Sequence, residues 1–97
     1  MSKRNKTGEY DLFKEIWDER AHKCVICNDP LHFFNVCYFA HVLGKGAYPE
    51  LRMAKKNIVI MCFDHHQIYD HHTHKAKEDK RFNKIFKLKD ELKQTKR

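Results

Sequence analysis

The first clear period along the chain is helical. Leu12, Phe13, Ile16 and Trp17 recur at i, i+1, i+4 and i+5, which places them on one stripe of a helix over 9–20, with Thr7 or Gly8 as its cap. Such a stripe packs into a core, and Trp17 is expected to cover either the Cys-x-x-Cys knuckle that follows or the central strand. Residues 32–40 alternate poorly but are rich in aromatic and β-branched side chains (Phe33, Phe34, Val36, Tyr38, Phe39), which predicts a strand ending at His41. Cys37 inside it reads as a buried thiol acting as a small hydrophobe. Gly44, Gly46 and Pro49 then break the pattern, so 42–56 reads as a long loop. Ile58 to Met61 is a short, mostly β-branched apolar run and predicts a buried strand. Asp64 offers an N-cap for a helix starting at His65. On that helix His66 and Asp70 lie four apart and share a face. From 75 to 97, Phe82, Ile85, Phe86, Leu88 and Leu92 form a partial apolar stripe in a lysine-rich background. It predicts a C-terminal basic helix over about 77–95 that packs by one face and carries its charge on the other.

Composition narrows this to one small α+β domain. The chain has 97 residues, 34% of them charged, with a mean hydropathy of −0.82. Residues 1–8, small, polar and basic, read as a disordered tail, and 9–97 as a single domain. A core this thin is commonly supplemented by a structural metal. A net charge of +7 and a pI near 9.3 favour an anionic partner, nucleic acid first among them, with a merely solvated basic surface as the equal alternative on composition alone. The N-terminus lacks an apolar signal region, and no run approaches the ~20 apolar residues of a membrane span. The expectation is no membrane association and a cytoplasmic, intracellular location, which suits reduced thiols.

The cysteines carry the sharpest local signal. Three of the four fall in two half-sites, Cys24-x-x-Cys27 and Cys62-x-x-His65, a spacing that predicts a structural zinc ion and not disulfides. His65 and His66 could exchange roles, because Cys-x-x-His and Cys-x-x-x-His both suit zinc. His65 is preferred because His66 then pairs with Asp70 across one helical turn.

A histidine, an asparagine and a histidine in that order (His41, Asn57, His66), enclosed by a zinc knuckle, resemble the HNH endonuclease family over roughly 22–72. The resemblance implies a ββα-metal core spanning 22–74, in which two strands and a helix grip a metal. It implies hydrolysis of DNA phosphodiester bonds, with His41 as general base, Asn57 as the central asparagine, His66 as the metal-binding histidine and Asp70 as the ligand one turn later. The family's knuckle version has four cysteines; here His65 replaces the fourth. Many members place a metal-binding Asp, His or Glu directly before the base. This chain has Ala40 there, with His71 or His72 as candidates to replace the missing ligand. Small stand-alone members are often encoded by phages or other mobile elements, which implies a phage protein in a bacterial host.

The residues suit that chemistry. Cleaving a phosphodiester needs a base for water, charge neutralisation on the phosphate and help for the leaving oxygen. A neutral imidazole at His41 can take the proton, and Asn57 can hold the loop or the imidazole by its amide. His66 and Asp70 can hold a divalent cation with positions left open, for which Mg2+ or Mn2+ is expected, with Ni2+ or Zn2+ as alternatives. Lys45, Arg52, Lys55 and Lys56 are the expected phosphate contacts, and the basic face of the last helix is a further one. The alternatives are a zinc-stabilised nucleic-acid-binding module without cleavage activity and a zinc-stapled interaction protein.

Overall fold

The structure, a computed structural model, describes residues 8–44 and 46–95. The expected disordered tail up to residue 7, the Thr7 cap and Lys45 lie outside the described residues. The protein is a small mixed α+β molecule. Helix α1 (Glu9–Glu19) opens from Gly8, whose φ of 78° suits glycine. Glu9 and Asp11 in its first turn complement the helix dipole. Phe13, Ile16 and Trp17 are buried as the stripe requires. Trp17 packs in a cluster with Leu31, Tyr38, Phe39, Ile58 and Ile60, so it covers the strands. The knuckle's Cys24 and Ile26 belong to a second cluster.

Strands β1 (Phe39–His41) and β2 (Ile58–Ile60) pair antiparallel, with Phe39 opposite Ile60, Ala40 opposite Val59 and His41 opposite Ile58. The sheet is a wall with two apolar faces. Phe39, Ile58 and Ile60 meet α1 on one side. Ala40 and Val59 join Met61, Tyr69, Phe82, Ile85 and Leu92 on the other. That is why 58–60 has no polar alternation: both of its faces are covered.

Four expectations are corrected here. The strand over 32–41 shrinks to three residues, because the Asn35 side chain accepts a hydrogen bond from the Cys37 N–H (2.8 Å) and turns Val36–Tyr38 into a 3-10 helix. Local side chain–backbone bonding of this kind competes with a ladder. Cys37 is consequently exposed, not buried. Helix α2 (Phe63–His71) starts two residues early, with Cys62 as its N-cap in place of Asp64. Asp64 instead sits in the first turn, where its charge still favours the helix. The long C-terminal helix is broken into α3 (Thr73–Glu78), a 3-10 turn (Lys80–Phe82) and α4 (Asn83–Thr95). Asp79 marks the break, its carboxylate accepting from the Arg81 N–H at 2.9 Å, and Phe82 is driven fully into the core. No helix among the described residues is long and apolar enough to cross a membrane.

Candidate functional site

The first site is the cysteine knuckle. Residues 23–30 double back through a Lys23–Pro30 bridge. The turn closes with Cys24 N–H to Asp29 O (3.0 Å) and Asn28 N–H to Cys24 O (2.9 Å), Asn28 supplying a left-handed residue at φ 64°. The Val25 N–H reaches the Ile60 carbonyl at 2.9 Å, which ties the knuckle to the edge of β2. Cys62 and His65 enter from the first turn of α2. The four ligand atoms lie within 4.8 Å of one another. Cys27 and Cys62 sulfurs are 4.0 Å apart, and His65 Nδ1 is 3.8 Å from Cys24 and 3.2 Å from Cys62. Tetrahedral zinc, with bonds of about 2.3 Å to sulfur and about 2.0 Å to nitrogen, needs separations close to these. The cluster could hold a metal ion, and its donor set suits zinc. His65 occupies the fourth corner; His66 points elsewhere.

Burial acts on all three thiols. It pushes Cys62 up and, with the Cys24 sulfur beside it, Cys27 up to about 12. At Cys24 burial is outweighed by backbone N–H groups of Cys27, Cys62 and Ile26, which lower it. Arg81, anchored to Asp79 by a 2.7 Å ion pair, has its guanidinium 3.5 Å from His65 Nε2.

The second site is a cleft of about 380 Å3 that His41, His66, Asp70 and Glu9 line together with Cys37 and Gly44. β1 delivers His41, α2 delivers His66 and Asp70, and the first turn of α1 delivers Glu9. Asn57 stands behind the cleft, fully buried. Its Oδ1 accepts from the Leu43 N–H (2.8 Å), and its Nδ2 donates to the carbonyls of Leu43 (3.1 Å) and Leu51 (3.2 Å). It therefore holds the loop, not the imidazole. The loop in turn holds His41, whose Nε2 donates to the Arg52 carbonyl at 2.9 Å. A carbonyl only accepts, so Nε2 bears the proton and Nδ1 the lone pair of the neutral ring. Glu9 Oε2 lies 3.7 Å from the same Nε2 and 3.1 Å from Arg52 Nε.

His66 is fixed in the same way. Its Nδ1 donates to the Cys37 carbonyl at 2.7 Å, which turns Nε2 toward Asp70 Oδ2 at 2.9 Å. In the neutral ring both of these atoms are acceptors, and two acceptors at that distance call for a proton or a cation between them. A smaller cavity of about 320 Å3 opens on the same pair and includes Phe63 and His71. Among the described residues neither His71 nor His72 completes a group of three ligands. Ala40 is fully buried in the apolar cluster that holds Tyr69 and Val59, a setting hostile to a carboxylate.

The loop cations are placed less simply than the sequence suggests. Arg52 pairs with Glu9. Lys55 pairs with Glu19 (2.8 Å) and Glu15 (3.3 Å) of α1, and Lys56 is exposed. Glu9 is the residue that sequence reasoning missed: an acid in a first turn reads as a helix-dipole partner, and nothing local ties it to His41. Compared with protein-family models, curated proteins and solved structures, the chain matches none of them.

Proposed function

We propose that this protein is a metal-dependent endonuclease of the HNH type, acting on DNA, with a ββα-metal core stapled by zinc at Cys24, Cys27, Cys62 and His65. One observation carries the reading: His41, His66 and Asp70 line one cleft, with His66 Nε2 and an Asp70 oxygen facing each other at 2.9 Å. A protein that only bound nucleic acid would need neither that pair nor a histidine base beside it.

The residues divide the work as follows. His41 takes a proton from water as the water oxygen attacks phosphorus and the bond to the leaving 3′ oxygen breaks. The Arg52 carbonyl holds the ring, and Glu9 stabilises the imidazolium that forms, as a buried carboxylate does in hydrolytic triads. Asn57 is a positioning residue that acts through the loop it clamps. His66 and Asp70 are the protein ligands for a divalent cation such as Mg2+ or Mn2+, which when bound would supply charge neutralisation at the phosphate.

Plasmid nicking with Mg2+, Mn2+ or Ni2+, wild type beside His41→Ala, tests the proposal. Metal-dependent nicking that falls at least a hundredfold in the variant is expected. No cleavage with any metal, from folded protein that binds DNA, would replace the nuclease with the binding module. Equal cleavage by both proteins would remove His41 as the base.

A further inference from the structure

The charge of this protein is unevenly distributed. Residues 73–95 hold eight Lys or Arg against four Asp or Glu, a net of +4, whereas residues 8–72 hold seven against nine, a net of −2. The body that forms both metal sites is thus slightly acidic, and α3 and α4 carry the positive charge. Between those two helices lies a groove of about 430 Å3, lined by Thr73 and Lys77 from α3 and by Phe86, Lys89, Asp90 and Lys93 from α4. Lys89 and Lys93 are one turn apart and share a face of α4. Among the described residues no salt bridge ties Lys77, Lys89 or Lys93 to an acid. Lys89 Nζ sits 5.9 Å from the centroid of the Tyr69 ring. Arg52 and Lys55, in contrast, are already neutralised by glutamates of α1.

We propose that this groove seats the phosphate backbone of a DNA duplex, an inference that takes its polyanion from the nuclease reading above. Lysine ammonium groups are point charges that meet phosphate oxygens without reading base edges. A groove for single strands would add open ring faces for stacking. Here Phe86 is half-buried against the core, and the exposed rings among the described residues, Tyr10, Phe33 and Phe63, do not line the groove. Asp90 is the one acid in the lining and opposes phosphate.

The test is fluorescence anisotropy of a short labelled duplex with zinc-loaded protein, across a salt series without added divalent metal. Replacing Lys77, Lys89 and Lys93 together by Gln should weaken binding at least tenfold. It should also flatten the log–log salt dependence by two to three, at about 0.9 per lost phosphate contact. Asp90→Asn should tighten binding a few-fold, and it carries the test if the triple variant fails to fold. Lys14→Gln, an exposed α1 lysine that does not line the groove, is the control and should leave affinity and salt slope unchanged. Wild-type affinity and salt slope in the triple variant, or no duplex binding by the wild type, would overturn the proposal. Equal lysine-dependent affinity for a single strand would overturn the choice of duplex. Nicking assays on the same proteins separate the two readings. Lysine-dependent binding by a protein that never cuts keeps the groove and removes the nuclease. Cutting by a triple variant that still binds normally does the reverse.

Discussion

At the scale of single residues, Asn57 shows how a polar side chain can be structural and still decide chemistry. It is the one buried polar residue among the described positions, and its amide uses both functions at once, accepting from the Leu43 N–H and donating to two carbonyls. The sequence marks it because an asparagine precedes an apolar strand. It does not reveal that the amide closes a loop reaching from Leu43 to Leu51. Asn57→Asp keeps the shape, but a carboxylate cannot donate to those carbonyls and would be buried as a charge. We expect a loss of about 3 kcal/mol or more, which at this size corresponds to a fall in Tm of more than about 12 °C. Thermal melts of zinc-loaded protein measure it. A melt within about 2 °C of wild type would mean that the loop is not held this way.

At the scale of elements, the legible parts of the sequence are those where one turn brings the chemistry together. Cys24-x-x-Cys27, Cys62-x-x-His65 and the His66–Asp70 pair are local spacings, and the structure places each as the spacing requires. Misreadings fall where a side chain redirects the backbone or where contacts are distant. Asn35 cuts β1 short, Asp79 splits the last helix, and Glu9 reaches His41 only because α1 packs across the sheet. The cysteine knuckle, whose donor set suits zinc, gives the prediction that belongs here. Without an ion, Cys27 titrates near 12 and Cys62 above its ordinary value, so at neutral pH these thiols keep their protons and zinc must displace them. Acidification should therefore release zinc and lower the Tm of the holo protein. The metal-free fold has the opposite dependence. At Cys27 and Cys62 a raised folded-state pKa contributes stability that is present below the unfolded thiol value and lost as pH rises from there toward the folded one, so these two thiols should weaken the chelated protein above about pH 8.5, with the lowered Cys24 acting in the opposite direction. Cys24→Ser should abolish stoichiometric zinc and the acid-dependent phase together. Zinc content by atomic emission alongside melts at several pH values tests this, and a chelated protein that melts like the holo form would remove zinc from the account of stability.

At the scale of the whole molecule, the proposed nuclease has one candidate cleft per chain. The described residues span 42 × 36 × 23 Å, close to one turn of duplex, about 34 Å. His41, His66 and Asp70 sit together in a single cavity, so under the proposed function one protomer would orient one scissile phosphate. The partner strand runs antiparallel and presents its own phosphates in the opposite polarity, which a single asymmetric site meets only after dissociating and rebinding. A monomer should therefore nick. On supercoiled plasmid, relaxed circles should accumulate first and linear DNA should appear late, from independent second nicks, with an initial rate proportional to protein concentration. A two-fold dimer would put two clefts across the duplex, release linear DNA from the earliest times and raise the rate with the square of concentration at low protein. Time courses on agarose gels at several protein concentrations distinguish the two. Linear product in constant ratio from the start would show that the working unit is a pair of chains, with the second copy supplying the site that one cleft lacks.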